Sequence, residues 1–340
     1  MAGAAGTVTG IRLSTNEIFS TPRGPQAPVT SLSFFSSSGS NDPFDTLKVY
    51  AGCWDKSIWQ YTFGRATESA AGRTVIDVKN WSAHSDFVKC LLVVHRPNKP
   101  PVLVSGGADG TICFWDLEGK KLGFVQPQCR GIECLVTDPL SSDGSPIIFV
   151  STSQREIFYF VLPDFESDTA AKVALSEPIL VHDTSVYRLF FDGDGDLWTA
   201  SADKTAKHLV RDEAWRSDTT LQHPDFVRDV VVHDQYGWVL TACRDEEIRV
   251  WNRSTGDLYH VFTGHNEEVT GLAISRNLLI SISIDSTMRR WSLEPRALQK
   301  AVEEARNPKL LEQEPEPTMD LGLTAEEEAK LEAMMVSEED

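Results

Sequence analysis

Residues 244–265 read RDEEIRVWNRSTGDLYHVFTGH. Asp245 stands six residues before Trp251, and His265 follows that Trp by fourteen. The spacing has meaning because it recurs. ADGTICFW runs from Ala108 to Trp115, with Asp109 six residues before the Trp, and IDSTMRRW ends at Trp291, with Asp285 in the same place. A hydroxyl residue lies four positions before each Asp: Ser105, Thr241 and Ser281. A His lies further upstream, before an apolar run: His84, His223 and His265. From His182 to His223 is 41 residues, and from His223 to His265 is 42. A period near forty marks one supersecondary unit used again and again.

Each unit reads as four short strands. After His223 come FVRDVVV (226–232), GWVLTA (237–242), EIRVWN (247–252) and DLYHVF (257–262), with turn residues where the chain must reverse. Six units of this kind are found. The first opens at residues 28–35, the second after His84, a worn third at 131–136, and the others after His182, His223 and His265. The sixth stops after three strands, at 289–293. Residues 9–20, TGIRLSTNEIFS, belong to no other unit and are expected to supply its outer strand beside 287–293. Closure of that kind removes an unpaired edge.

Over about residues 9–293 the chain resembles the WD40-repeat β-propeller family, on the strength of the three His–Ser/Thr–Asp–Trp sets. Only Trp115-Asp116 keeps the Trp-Asp pair itself; Asn252 and Ser292 follow the other two Trp residues. The resemblance implies an all-β propeller with six recognisable blades, although seven are commoner in the family. It also implies that His, hydroxyl, Asp and Trp form a hydrogen-bonded chain inside each blade, since a buried Asp is costly without partners. Blade four has His182, Thr199 and Asp203, but Leu209 stands at the Trp position. Blade one has Asp55 without a matching His, and blade three has Arg155 near the Asp position.

The 340 residues carry a formal charge of −18 and are 41% apolar. That balance disfavours direct nucleic-acid binding. No apolar run has the length of a membrane span, and the start lacks a secretory pattern. Six cysteines without a C-x-x-C pair suit reduced thiols in an intracellular protein, cytoplasmic, nuclear or both. No metal or cofactor motif stands out. DGDGD (192–196) resembles the start of a calcium loop, but between two strands it reads as a hairpin turn.

Partners are expected to be proteins or peptides, held by a non-catalytic scaffold subunit of an intracellular complex. By family resemblance the residues three and five after each His, and the residue before each turn Asp, lie near the top rim. They give a candidate patch of Trp54, Phe87, Lys89, Tyr187, Phe226, Arg228 and Arg244. Aromatics beside cations are typical of binding hot spots. Two further readings stay open. One is a propeller hydrolase or esterase, although repeated buried triads and no G-x-S-x-G elbow argue against it. The other is a reader of acidic or phosphorylated peptides through Lys89, Arg228 and Arg244. Nothing in the sequence fixes an oligomeric state.

The domain reading is a propeller over 1–293, a short helix with an acidic Pro-rich linker over 294–323, and a short acidic helix over 324–340. Residues 294–340 hold fourteen acidic and five basic residues, half of the net charge. Leu298, Val302 and Ala305 share one helical face, and Thr324 with Glu327 makes a capping box. Leu331, Met334 and Met335 are the expected anchors if this tail docks as a helix in a partner's groove.

Overall fold

The computed structural model describes residues 6–11, 13, 18–21, 23–36, 47–65, 73–96, 98–141, 145–165 and 173–306. It divides into two compact units, residues 1–293 and 294–340.

The first unit is a six-bladed β-propeller. It begins with β1 (Thr9–Ile11) and β2 (Ile18–Ser20). Blade one is β3 (Val29–Ser36), β4 (Leu47–Cys53), β5 (Ser57–Arg65) and β6 (Arg73–Ser82). Blade two is β7 (Val88–Arg96), β8 (Lys99–Gly107), β9 (Ile112–Trp115) and β10 (Lys121–Val125). Blade three has three strands, β11 (Ile132–Thr137), β12 (Ile147–Thr152) and β13 (Ile157–Val161). An isolated bridge from Ile157 to Ile179 partly fills its outer position. Blade four is β14 (Val186–Phe191), β15 (Leu197–Ser201), β16 (Thr205–Val210) and β17 (Arg216–Gln222). Blade five is β18 (Val227–His233), β19 (Trp238–Cys243), β20 (Ile248–Asn252) and β21 (Leu258–Phe262). Blade six is β22 (Val269–Ser275), β23 (Leu278–Ser283) and β24 (Met288–Ser292). Within each blade, strands consecutive in sequence pair antiparallel.

The residue after each turn Asp is left-handed: Lys56, Gly110, Lys204, Glu246 and Ser286 have φ of 66–74°. Only Gly110 adopts this freely. Elsewhere the preceding carboxylate compensates, accepting the N–H two residues on, as Asp55 does from Ser57 and Asp285 from Thr287. The recurrent Asp is therefore a turn-former as well as a member of the side-chain chain.

The apolar core lies between blades. Leu91 and Val93 of β7 pack with Tyr50 and Ile58 of blade one. Leu189 packs with Phe149 and Ile157 of blade three, and Val230 and Val232 with Trp198 and Ala206 of blade four. Such junctions join two sheet faces through interdigitated side chains.

Residues 9–20 differ from expectation. They do not make one outer strand for blade six. β1 and β2 pair with each other, with Ile11 opposite Ile18. The polar Ser14-Thr15-Asn16-Glu17 stretch breaks the apolar alternation that a single strand would need. Val8 packs with blade one, in a cluster with Val29, Ala51, Tyr61 and Phe63. At the other end the Leu13 carbonyl accepts a hydrogen bond from Arg290 of β24 at 3.3 Å.

In the second unit, α1 (Pro295–Arg306) is a twelve-residue helix. Pro295 suits its first turn, where no N–H partner is needed. The capping box at Thr324 and the anchors Leu331, Met334 and Met335 lie outside the described residues. Among the described residues no helix is long and apolar enough to cross a membrane.

Candidate functional site

The recurrent side chains form the expected chains in blades two and six. Trp115 donates its indole N–H to Ser105 at 2.9 Å, and Ser105 meets His84 Nε2 at 2.8 Å. His84 Nδ1 then faces Asp109 at 3.1 Å. Blade six repeats this: Trp291 to Ser281 at 2.9 Å, Ser281 to His265 at 2.8 Å, and His265 to Asp285 at 3.0 Å. The His tautomer with its proton on Nδ1 lets every group donate once along the line. Blade four keeps His182 between Thr199 (2.7 Å) and Asp203 (2.8 Å). With Leu209 in place of the Trp, the Thr199 hydroxyl donates to the Lys207 carbonyl at 3.2 Å.

Each Asp also receives a hydroxyl that sequence reading did not single out. Thr111, Thr205 and Thr287 donate to Asp109, Asp203 and Asp285 at 2.6, 2.6 and 2.7 Å. The readable signal was D-x-T, present in all three blades. Burial alone would raise the Asp109 carboxyl. The Thr111 hydroxyl and N–H, the Ser85 N–H and His84 outweigh burial and hold it at about 2. Asp203 and Asp285 are likewise held well below the usual carboxylate range.

Blade five departs from this pattern. His223 Nε2 meets Thr241 at 2.8 Å, and Trp251 donates to Thr241 at 2.9 Å. His223 Nδ1 turns to the Leu221 carbonyl at 3.1 Å rather than to Asp245. Asp245 instead takes a fork from Arg249, at 3.1 and 2.6 Å. The cause is a shortage of donors. In blades two, four and six the residue after the His gives its N–H to the Asp: Ser85, Asp183 and Asn266. Here that residue is Pro224, which has no N–H, and Glu247 replaces the threonine. Burial, reinforced by the Arg249 charge, lowers His223 to about 4.

None of these sets resembles a nucleophile site. Ser105, Thr199, Thr241 and Ser281 are fully buried and engaged. DGDGD is a hairpin turn between β14 and β15, closed by the Asp192–Asp196 and Gly195–Asp192 backbone bonds, with Gly195 at φ 84°. Arg253 lies against Asp192 (3.1 Å) and Asp234 (3.3 Å) and also pairs with Asp194. Among the described residues no group of three metal-ligating side chains converges.

The inner strands bring one residue each to the mouth of a central channel: Thr30, Lys89, Glu133, Tyr187, Arg228 and Thr270. The cavity they line holds about 370 Å³. Below them Arg188 Nε lies 3.1 Å from Asp229, which also accepts the Leu272 N–H from blade six. The Arg228 guanidinium sits 4.3 Å above the Tyr187 ring, and its Nε is 2.5 Å from Glu268. Lys89 is paired with Glu133. The patch is thus less basic than its residue types suggest, because two of its three cations already hold a carboxylate.

Further out, Trp54 stacks on Phe87 with ring centres 4.8 Å apart and 11° between planes. Arg244 lies 5.3 Å from the Phe226 ring. Phe87 and Phe226 are half-buried, while Trp54 and Arg244 are exposed. The seven residues therefore stand as pairs around the rim: Trp54 with Phe87, Tyr187 with Arg228, Phe226 with Arg244, and Lys89 beside Glu133. Ile284, the residue before the turn Asp of blade six, is also exposed at the rim and was not among the candidates.

Blades closed by buried His–hydroxyl–Asp–Trp chains around a channel define a WD-repeat propeller. Comparison with known proteins agrees. The family model described as "WD domain, G-beta repeat" (WD40) matches residues 76–116, 215–252 and 256–292. Each match takes the outer strand of one blade and the three strands of the next. An uncharacterized WD repeat-containing protein of Schizosaccharomyces pombe is 32% identical over 330 residues, covering 95% of this chain and 80% of that protein. The chain belongs to the WD40-repeat family. It is also 41% identical over 190 residues to the Drosophila mojavensis tRNA (guanine-N(7)-)-methyltransferase non-catalytic subunit wuho. That match covers 54% of this chain and 49% of wuho, about half of each. The crystal structure of the WD40 β-propeller domain of Doa1 superposes with a TM-score of 0.64 at 19% identity. It covers 87% of this chain and 89% of that one, a likeness of fold.

Proposed function

We propose that this chain is a non-catalytic scaffold subunit of an intracellular multiprotein complex, cytoplasmic, nuclear or both, which holds another protein or peptide on the rim of the channel mouth. The observation that carries the reading is the rim itself. Exposed Trp54 and Arg244 are held in fixed poses by the half-buried rings of Phe87 and Phe226. Aromatic and Arg groups with little freedom left to lose make effective anchors. Similarity to a relative named as a non-catalytic subunit supports the same reading. All six cysteines are free thiols, which suits a reducing compartment.

The peptide-reader alternative has less support, since a phosphate or carboxylate would have to displace Glu133 from Lys89 and Glu268 from Arg228. A hydrolase reading also has less support, because the hydroxyl beside each His is buried and already bonded.

The test is a Trp54→Ala, Arg244→Glu double variant of the full chain, tagged and purified from its own cells. Folding should stay nearly intact, as both side chains are exposed. At least one co-purifying chain should be lost. Survival of the whole set, with melting unchanged, would overturn the rim reading.

A further inference from the structure

The ring of inner strands has one junction unlike the others. β3 packs on β7, β7 on β11, β11 on β14, β14 on β18 and β18 on β22. Among the described residues β22 and β3 make no comparable contact, nor does β23 pack on β3 as β4 packs on β7.

Burial at equivalent positions shows the same break. In each blade one residue of the inner strand lies opposite the hydroxyl position of the second strand: Leu32, Leu91, Leu135, Leu189, Val230 and Leu272. The clusters show that this position faces the preceding blade. Five of the six are 0–8% exposed, whereas Leu32 is 36% exposed. Two residues on along the same face, Val93 is 9% exposed and Phe34 is 70% exposed.

The opposite wall matches. The second-strand residues that face the next blade are Tyr50, Val104, Phe149, Trp198 and Leu240, all buried, while Ile280 in blade six is half-buried. On the third strand Ile58, Ile112, Ile157, Ala206 and Ile248 are buried, while Met288 is half-buried. The β1–β2 hairpin runs from blade one to blade six, through Val8 and Leu13. Its Ile18 is 66% exposed.

We propose that the seam between blades six and one is a second interaction site, filled by a pair of β-strands from a different protein. Both walls are largely apolar sheet faces, with Arg290 beside Ile280 on blade six tied to the Leu13 carbonyl, and the complement of two such faces is another sheet. That sheet would extend the hairpin, whose three-residue strands are too short to cover either wall. Such strands would be apolar on both faces, like the inner strands of the other blades.

These 340 residues hold no ready occupant. SSGSNDPFDT (37–46), ATESAAG (66–72) and ESDTAAK (166–172) lack any run of large apolar residues. In the tail, residues 319–323 are only five and include Asp320 and Gly322, and 331–336 (LEAMMV) carry Glu332 and follow the Thr324–Glu327 capping box, which favours helix. The inner strands of the six blades have six to nine residues. The seam is separate from the rim, and neither reading needs the other.

The experiment places a photo-crosslinking residue at Phe34 or Ile280 of the full chain in its own cells, with Phe124 as control. Positions 34 and 280 should crosslink one segment of one other protein, with near-continuous apolar runs, and position 124 should not. A fluorescent peptide of that segment should bind the purified chain and lose at least ten-fold in affinity with Leu32→Asp, Phe34→Asp. That variant should melt within about 2 °C of wild type, while Leu91→Asp, at the buried equivalent, should fall by several times more. Crosslinks only to blade one or six, to residues 307–340 or to a second copy would overturn the proposal. So would no crosslink at all, a peptide indifferent to the variant, or a Phe34 variant as unstable as Leu91→Asp.

Discussion

Replacing Ser105 by Ala isolates what one buried hydroxyl contributes to a blade. Its Oγ receives the Trp115 indole N–H at 2.9 Å and meets His84 Nε2 at 2.8 Å. Trp115 and His84 are both buried, so water cannot replace the lost partner. Each orphaned group costs about 1–3 kcal/mol. The missing oxygen leaves almost no cavity, so no large packing term is added. The expected loss is therefore about 3 kcal/mol, on the order of a hundred-fold in the unfolding equilibrium. Ser281→Ala should cost less, because Trp291 is only half-buried and its N–H can recover some hydration. Ser57→Ala is the control: its hydroxyl bonds Asp55 at an exposed turn, and surface changes stay within about 0.5 kcal/mol. Urea titration followed by Trp fluorescence measures all three, with the slope checked for a common unfolded state. If Ser105→Ala and Ser57→Ala gave the same midpoint, the chain of buried donors would not stabilise the blade and the argument would fail.

Acid should probe the same chain through Asp109. Its folded pKa of about 2 lies below the ordinary 3.8, so its contribution is complete above the ordinary value and is lost as pH falls from there through about 2. Asp203 and Asp285 act in the same direction. The wild-type urea midpoint should drop across that window, and Asp109→Asn should flatten the slope; an unchanged slope would contradict the assignment. Blade five titrates in the same direction but at higher pH. His223 is held neutral at about 4 against an ordinary 6.5, so its share of stability is present above 6.5 and lost as pH falls through 4. Arg249→Met removes a repelling charge and frees Asp245, so the His223 ring proton followed by NMR should titrate at higher pH; an equal or lower value would refute the donor-shortage account.

The propeller was legible because its determinants are local and repeated. Strand limits in blade five follow the apolar positions Val227, Val230, Val231 and Val232 and the turns at Gly237 and Gly256 almost to the residue. The hydrogen-bonded chains were legible for the same reason. Two things were not. The Asp245–Arg249 fork needed the donors of one carboxylate to be counted, although Pro224 and Glu247 were there to read. The seam depends on whether blade six reaches blade one, a distance between residues some 250 apart in sequence, such as Leu32 and Ile280. Periodicity within a repeat carries no information about that closure. The charge state of the rim was not legible, since Glu133 and Glu268 come from neighbouring blades to meet Lys89 and Arg228.

The buried chains also bear on the rim, because the Asp at the end of each chain holds the loop that carries rim residues. Asp109 accepts the Ser85 N–H, two residues before Phe87, and Asp285 accepts the Asn266 N–H, two before Glu268. The same carboxylates shape the turns whose preceding residues, Ala108 and Ile284, stand at the rim. Fixing the turn and the loop from one atom group presets the spacing between their side chains. Blade five lacks the loop tie, because Pro224 has no N–H to give. Its loop is held by the Phe226–Arg244 backbone bond and by Asp225, which accepts the Phe226 N–H at 2.9 Å. The freed Asp245 carboxylate goes to Arg249 rather than to Arg244. Among the described residues Arg244 is therefore the patch cation with no carboxylate within ion-pair distance, held by the Phe226 ring and open to an anionic group on a partner. The departure from the repeat pattern and the available rim charge thus share one cause, the loss of two donors around Asp245.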